Sequence, residues 1–260
     1  MIDWSDIAPT DAADPIRVTA PDRAALLQDI ETRFAEGRGF SLATLNLDHV
    51  VKIRRDPAFR AAYARQSHVT ADGNPIVWLC RLAGQKVDLI PGSELVSPVA
   101  GLAAKTGMPV ALVGLTGPAL EAAAAALCAR HPGLKIAALV PPPMGFDPDG
   151  PEADRVIAEL TATGARLCFL ALGAPRQERF AARAQDHLPK TGFLSIGAGL
   201  DFLAGSQKRA PRIVQALALE WLWRMMGNPG RLAGRYAACF AILPRSVLAA
   251  LRTRLTTREV

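Results

Sequence analysis

An apolar strand that runs into a small, charged turn is the strongest chemical feature of the sequence. Residues 167–172 are almost all apolar, and a helical pattern follows the turn Gly173-Ala174-Pro175-Arg176-Gln177-Glu178-Arg179. Such a turn places backbone N–H groups, a guanidinium and a side-chain amide at the carboxyl edge of a sheet, where open α/β sheets bind ligands. Because a helix start also attracts phosphate, the turn predicts a site for a phosphorylated ligand.

Asp72 is the carboxylate best placed for acid–base chemistry. It follows a short predicted strand, 69–71, and precedes Gly73. Two interpretations are open from the sequence: a turn residue that bonds its own backbone, or a general base within reach of a substrate hydroxyl. Another predicted strand, 40–47, carries Thr44 and Asn46 near its end, and these side chains would lie beside Asp72 if the two strands are neighbours.

Other motifs give weaker signals. Asp147-Pro148-Asp149 is similar to the Asp-x-Asp with which some sugar-nucleotide enzymes hold a divalent metal, but an ordinary solvent turn is favoured there. The glycines at 114–117 and 197–199 lack the full dinucleotide or phosphate-loop spacing. The sequence contains neither a serine-hydrolase elbow nor a zinc-type cysteine spacing. These patterns predict no metal and no cofactor.

The elements that must position these residues alternate between strand and helix. Helices are predicted over 23–36, 56–65, 75–82, 119–130, 152–163 and 177–187, and strands over 40–47, 69–71, 110–113, 134–140, 166–172 and 193–196. This alternation predicts an α/β fold with a mostly parallel, Rossmann-like sheet covered by helices on both faces. Residues 1–22 are predicted to be loosely ordered because they are rich in Asp and Pro.

The C-terminal part differs in charge from the rest. Residues 204–260 contain ten Lys or Arg and two acidic residues, a net charge of +8 against +6 for the whole chain of 260 residues. Apolar residues at helical spacing predict one helix over 211–226 and a second with Leu232, Tyr236 and Leu243 on one face, separated by Asn228-Pro229-Gly230. We therefore predict two units, an α/β catalytic domain at 1–203 and a basic, amphipathic helical appendage at 204–260.

The appendage predicts an anionic partner, and both a membrane surface and nucleic acid fit the charge alone. Basic amphipathic helices bearing aromatic residues are typical of segments that lie in a membrane interface. No run of the sequence reaches the roughly 20 apolar residues that span a bilayer. The N-terminus has neither a basic nor an apolar leader region, which predicts a cytoplasmic protein that binds the membrane peripherally.

Several segments, taken in order, resemble the WecG/TagA/CpsF family of bacterial glycosyltransferases. The resemblance covers about residues 40–235, and no single segment carries it. The segments are Thr44-Leu45-Asn46, Ala71-Asp72-Gly73 with Pro75, Val77 and Trp78, Gly92-Ser93-Glu94-Leu95, Gly173-Ala174-Pro175-Arg176-Gln177-Glu178, Gly197-Ala198, Asp201-Phe202-Leu203-Ala204-Gly205, Lys208-Arg209-Ala210-Pro211, Glu220-Trp221-Leu222 with Arg224, and Pro229 with Arg231.

This resemblance implies an inverting, metal-independent transferase. Such an enzyme moves a sugar from a UDP-sugar to a polyprenyl-diphosphate-linked saccharide at the inner face of the cytoplasmic membrane, as a step in cell-surface polysaccharide synthesis. The partners expected are the UDP-sugar donor, the lipid-linked acceptor and the membrane, with no nucleic acid. The sequence leaves the transferred sugar and the oligomeric state open, and a homo-oligomer is among the states it allows.

The resemblance also implies roles for individual residues. Asp72 matches the general base, Thr44 and Asn46 match residues that line the acceptor or donor-sugar pocket, and Gly173, Pro175 and Gln177 match the nucleotide-sugar site. Arg224 and Arg231 match arginines of an appendage that closes over the diphosphate. A third family arginine falls at Gly234, where the neighbouring Arg235 is expected to substitute. Leu89 and Ile90 stand where the family often has a basic residue.

Two alternatives stay open at this point. The first is a non-catalytic nucleotide- or nucleic-acid-binding α/β protein with a basic tail, whose binding would be sensitive to salt. The second is a glycosyltransferase that needs a metal ion at Asp147 and Asp149.

Overall fold

The computed structural model describes residues 1–5, 15–207, 211, 214, 220–227 and 229–258, apart from the side chains of 224, 231, 257 and 258. Its strands are β1 Phe40–Leu45, β2 His68–Ala71, β3 Pro109–Gly114, β4 Lys135–Val140, β5 Leu167–Ala171 and β6 Gly192–Ser195. Its helices are α1 Arg23–Glu36, α2 Leu47–Arg55, α3 Pro57–Ala64, α4 Asn74–Leu82, α5 Gly92–Thr106, α6 Gly117–Arg130, α7 Pro151–Ala162, α8 Arg176–His187, α9 Gly199–Leu203, α10 Glu220–Gly227 and α11 Pro229–Arg258.

The six strands form one sheet in the order β2-β1-β6-β5-β3-β4, and every pairing is parallel. The central strands are short apolar runs that are buried along nearly their whole length. Such runs are typical of a parallel sheet that is covered on both faces. The predicted α/β fold with a parallel, Rossmann-like sheet is therefore confirmed, and all six strands end at one edge.

Helices cover both faces of the sheet. One face packs against α1, α5, α6 and α9 through residues such as Ile30, Val99 and Leu120. The other face carries two apolar clusters, one against α2, α3 and α4 and one against α7 and α8. The long connection between β2 and β3 contains α4 and α5, because the chain must cross from β2 at one edge of the sheet to β3, which lies beside the opposite edge strand β4.

The N-terminal segment was predicted to be loosely ordered, and for its described residues this prediction is wrong. Ile2, Trp4, Ile16 and Val18 are buried in the cluster beside α4. The backbone N–H of Trp4 donates to the carbonyl of Ile16 at 2.8 Å, and that of Thr19 donates to Val69 at 3.0 Å. The alternation of apolar residues at 16, 18 and 20 is the period of an extended segment with one buried side.

Three helices were not predicted: α2, α5 and the short α9. The structure ends β1 at Leu45 and begins α2 at Leu47, because the side chain of Asn46 accepts the N–H of His49 at 3.0 Å and caps the helix. Helix α5 contains Pro98 and begins at Gly92, so its sequence lacks the usual helical composition. The remaining predicted elements are present within a few residues of their predicted bounds.

The predicted C-terminal helices are present in the described part of the appendage. Helix α10 ends at Gly227 and α11 begins at Pro229, so the predicted break at 228–230 is confirmed. Most of 211–219, the first half of the predicted first helix, lies outside the described residues. Helix α11 packs against α2 and α4, and Ala250, Ile242 and Leu243 join the apolar cluster there. The division into two domains stays a prediction.

Gly92, the first residue of α5, is packed against the carboxyl edge of the sheet. A Cβ atom on Gly92 would lie 3.1 Å from the carbonyl oxygen of Ser195, from Cα of Ile196 and from Cγ2 of Thr44. We expect Gly92→Ala to lower the free energy of unfolding by about 1–3 kcal/mol, because two of these neighbours are backbone atoms that cannot yield easily.

The matched control is Gly117→Ala, at the first residue of α6, where a Cβ meets nothing within 4 Å. Urea denaturation of both variants measures the difference. Equal stabilities for the two variants would contradict the close approach of α5 to β1 and β6.

Candidate active site

Asp72, Thr44 and Asn46 meet at the carboxyl edge of β1 and β2. The strand register pairs Thr44 with Thr70 and Leu45 with Ala71. Because alternate residues of a strand share a face, Asp72 returns to the face of Thr70 and Thr44. The hydroxyl Oγ1 of Thr44 donates to Oδ2 of Asp72 at 3.1 Å, and the backbone N–H of Asp72 donates to Leu45 at 2.8 Å. The structure therefore brings these three predicted residues together.

Gly73 turns the chain sharply between Asp72 and α4. Its φ is +115° and its ψ is 137°, a conformation that side-chain-bearing residues rarely adopt. The turn leaves Asp72 half-buried at the mouth of the sheet edge. Position 73 therefore needs glycine to hold the Asp72 carboxylate at that edge.

Asn46 lies beside this turn. Its side-chain oxygen is used by the α2 cap, and its amide nitrogen makes no hydrogen bond to other described residues. The amide N–H groups are therefore available as donors at the mouth of the site.

A buried layer fixes the strand end that carries Thr44. The carbonyl oxygen of Thr44 accepts hydrogen bonds from the hydroxyl of Tyr63 at 2.6 Å and from Nδ1 of His49 at 2.6 Å. Burial lowers the pKa of His49 to about 4 and raises the pKa of Tyr63 well above its usual value. Both groups are consequently neutral near pH 7, with the imidazole proton on Nδ1 facing the Thr44 carbonyl.

Gln177 joins the turn after β5 to the loop after β6. Its Oε1 accepts the backbone N–H of Gly197 at 3.2 Å, and its Nε2 donates to Oε1 of Glu178 at 2.8 Å. Gly173 has φ +71° and, like Pro175, is half-buried beside this link. Because β5 and β6 are neighbours, the predicted nucleotide turn lies on the same sheet edge as Thr44, two strands away from β1.

Glu178 is a buried acid to which the sequence analysis assigned no role. It is fully buried, and its Oε2 has no hydrogen-bond partner among the described residues. Burial raises its pKa to about 7. The sequence signal is only an acid in the first turn of a helix, which is ordinarily an exposed position, so the burial could not have been found without the fold.

One match to a protein-family model decides the class of this chain. The model of the glycosyl transferase WecG/TagA/CpsF family matches residues 14–260, nearly the whole chain. The chain belongs to this family. As a WecG/TagA/CpsF glycosyltransferase it acts in cell-surface polysaccharide synthesis, and the family suggests a sugar-nucleotide donor and a lipid-linked acceptor. Membership in a transferase family favours catalysis over the non-catalytic alternative.

In this WecG/TagA/CpsF chain Arg235 of the appendage contacts a carboxylate of α2, and its expected role at the diphosphate stays a prediction. Nε of Arg235 lies 3.0 Å from Oδ1 of Asp48 on α2. The side chains of Arg224 and Arg231 lie outside the described residues, so their roles stay predictions. At the position where the family often has a basic residue, Ile90 is buried in the core and Leu89 is 37% exposed.

The two carboxylates of the alternative metal site are engaged in local contacts. Asp149 forms an ion pair with Arg179, and Oδ1 of Asp147 accepts the backbone N–H of Asp149 at 3.0 Å. Among the described residues no cluster of three or more His, Cys, Asp or Glu is arranged to hold a metal. The motif thus has the contacts of a solvent turn, the interpretation that the sequence favoured.

The buried carboxyl of Glu178 gives the transferase a pH-dependent stability. Its folded pKa of about 7 lies above the usual 4.5, so its stabilising contribution is fully present below pH 4.5 and is lost as the pH rises through 7. We expect the Tm of Glu178→Gln to rise relative to that of the wild type as the pH increases from 4.5 to 8. Each kcal/mol of stability that the wild type loses over this range corresponds to about 2–4 °C in this Tm difference.

Thermal denaturation of both proteins at pH 4.5 and pH 8 measures this change. Glu121→Gln, at an exposed position of α6, is the matched control. A Tm difference between Glu178→Gln and wild type that is the same at both pH values would show that the Glu178 carboxyl is not held in its neutral form.

Proposed function

We propose that this glycosyltransferase transfers a sugar from a UDP-sugar to a polyprenyl-diphosphate-linked saccharide in one displacement, with inversion and without a metal ion. The observation that carries the proposal is the half-buried Asp72 carboxylate, held by Thr44 at 3.1 Å where neighbouring parallel strands end. A carboxylate oriented in this way suits a general base, and this edge is where α/β sheets bind ligands.

One carboxylate is sufficient for this reaction. The acceptor hydroxyl gives its proton to Asp72, and the oxygen forms a bond to the anomeric carbon of the donor sugar. The bond from that carbon to the β-phosphate oxygen breaks, and its electron pair leaves with UDP. Because attack and departure occur on opposite faces of the carbon, the configuration inverts.

The departing UDP needs positive charge or N–H donors near its β-phosphate. In this proposal the turn from Gly173 to Gln177 and the start of α8 bind the nucleotide, and Arg224 and Arg231 neutralise the diphosphate. Family membership supports the role of the arginines, and the position of the turn on the edge supports the role of the turn. Thr44 and Asn46 contact the sugars beside Asp72.

Metal independence is supported by the contacts of Asp147 and Asp149. The Asp149 carboxylate is paired with Arg179, and the Asp147 carboxylate closes its own turn. Arginine-based neutralisation of the diphosphate then does the work that a divalent ion does in enzymes with an open Asp-x-Asp pair.

Attachment to the inner face of the membrane is the remaining part of the proposal. Among the described residues, none of the helices combines the length and the apolar content needed to cross a membrane. Helix α11 nevertheless presents exposed apolar side chains on one side, spaced 7, 1, 3 and 4 residues apart: Phe240, Val247, Leu248, Leu251 and Leu255. Exposed Arg245 and Arg252 lie on the same helix, as expected for binding to an anionic bilayer surface.

Asp72→Asn tests the catalytic proposal. We expect it to lower kcat by at least about 10²-fold, because the amide cannot accept the hydroxyl proton. The donor is chosen beforehand from UDP-sugars carrying N-acetylmannosamine, its uronic acid, glucose or glucuronic acid, as the one that raises Tm most. Transfer to the lipid-linked acceptor is measured in EDTA, in which the wild type is expected to stay active.

Thr44→Val and Thr44→Ser are the matched pair for this experiment. Valine keeps the shape and loses the hydrogen bond to Asp72, so we expect about a tenfold loss, whereas serine keeps most of the activity. Wild-type turnover in Asp72→Asn would mean that the base lies elsewhere, and loss of wild-type transfer in EDTA would favour a metal-dependent enzyme.

Vesicle flotation tests the membrane proposal. The wild type is expected to float with phosphatidylglycerol vesicles at low salt. With phosphatidylcholine vesicles it is expected to remain in the unbound fraction, because arginines contribute to membrane binding only on an anionic surface. The double variant Leu248→Gln, Leu251→Gln is expected to lose most of this binding. Met144→Gln, at an exposed position outside α11, is the control, and equal flotation of all three proteins would contradict the role of α11.

A further inference from the structure

Asp48 is the second residue of α2, two residues after the Asn46 cap, and its side chain is only 11% exposed. Nζ of Lys52 lies 2.8 Å from its Oδ2, and Nε of Arg235 lies 3.0 Å from its Oδ1. Each oxygen of this nearly buried carboxylate therefore faces a different cation. One cation belongs to α2 itself and the other to α11 of the appendage.

Lys52 connects this carboxylate to the nucleotide turn. The same ammonium group that pairs with Asp48 also donates to the backbone carbonyl of Ala174 at 3.2 Å. Ala174 lies between Gly173 and Pro175, in the turn that follows β5. An ammonium group has three N–H donors, so Lys52 can hold both partners at once.

Arg235 connects the carboxylate to the appendage. It lies with Gly234 and Ala238 on the side of α11 that borders a cavity of about 470 Å³, and residues of α2 form the other wall. The contact to Asp48 joins the two walls. In the structure the partner of Arg235 is therefore a carboxylate of α2. The resemblance implied a diphosphate as the partner of Arg235.

We propose that Asp48 is a positioning residue that fixes two parts of the site at once, the appendage through Arg235 and the Gly173–Pro175 turn through Lys52. Asp48 itself touches neither substrate. Its burial makes the arrangement sensitive, because the nearly buried carboxylate depends on Lys52 and Arg235, which are 34% and 43% exposed, for its charge compensation. Arg235 then serves to dock α11 on α2, and leaves the diphosphate to other arginines.

Amide hydrogen exchange of the full chain tests the docking directly and needs no substrate. We expect Asp48→Asn to accelerate exchange about tenfold in α11 and at the turn, where the N–H groups of Gln177 and Arg179 donate to Gly173 and Pro175, while β3 and β5 keep their wild-type rates. Arg235→Ala should accelerate exchange in α11 alone. Lys52→Met should accelerate it in the turn, because it breaks the contact to Ala174.

Asp186→Asn is the matched control, because Asp186 forms an exposed ion pair with Arg65 between α8 and α3. It is expected to leave the exchange of α11 unchanged. Wild-type exchange rates in α11 of both Asp48→Asn and Arg235→Ala would overturn the proposal.

A double-mutant cycle tests the consequence for transfer, and this part rests on the proposed function. If Arg235 acts through Asp48, Arg235→Ala lowers kcat/KM about tenfold in the wild type and less than twofold in the Asp48→Asn background. An equal loss in both backgrounds would mean that Arg235 binds the ligand itself. A chain without transfer activity would refute the proposed function, while the exchange experiment would still decide the role of Asp48.

Discussion

The hydrogen bond from Thr44 to Asp72 exists because two neighbouring strands run parallel and end in register. In an antiparallel pair the ends of β1 and β2 would lie at opposite edges, and the two side chains would be separated by the length of the strands. The register pairs Leu45 with Ala71, so the next residues of the two strands, Asn46 and Asp72, leave the sheet side by side. We call these paired ends of β1 and β2, with Thr44 and Asp72, the junction. The other residues of the site lie around it.

Several contacts below the edge restrict how far the junction can move. Tyr63 and His49 hold the carbonyl of Thr44 from within the core, and Gln177 ties the loop after β6 to the turn after β5. Gly92 lets α5 approach the same edge from the opposite face. The side chains that face the ligand thus project from a rigid layer, which is the condition for positioning a base within hydrogen-bond reach of a substrate.

The sequence predicted the parallel sheet and the strand ends that carry Thr44 and Asp72, because both follow from short-range patterns, whereas the pairing of β1 with β2 that brings them together became known only from the structure. It did not predict α2, whose start depends on the cap by Asn46, or α5, which contains a proline and two glycines. It also missed the buried state of Glu178, since no local pattern distinguishes a buried acid in a first helical turn from an exposed one. The contact of Arg235 with Asp48 joins residues far apart in the chain, and only the packing of α11 on α2 brings them together.

A crystal structure of the full-length Asp72→Asn variant with the UDP-sugar and an acceptor analogue would test the assignment of the base most directly. The acceptor hydroxyl is expected at about 2.6–3.2 Å from the side chain at position 72, on the face of the anomeric carbon opposite the UDP oxygen. A hydroxyl bound out of reach of that side chain, with another carboxylate or imidazole beside it, would contradict the assignment.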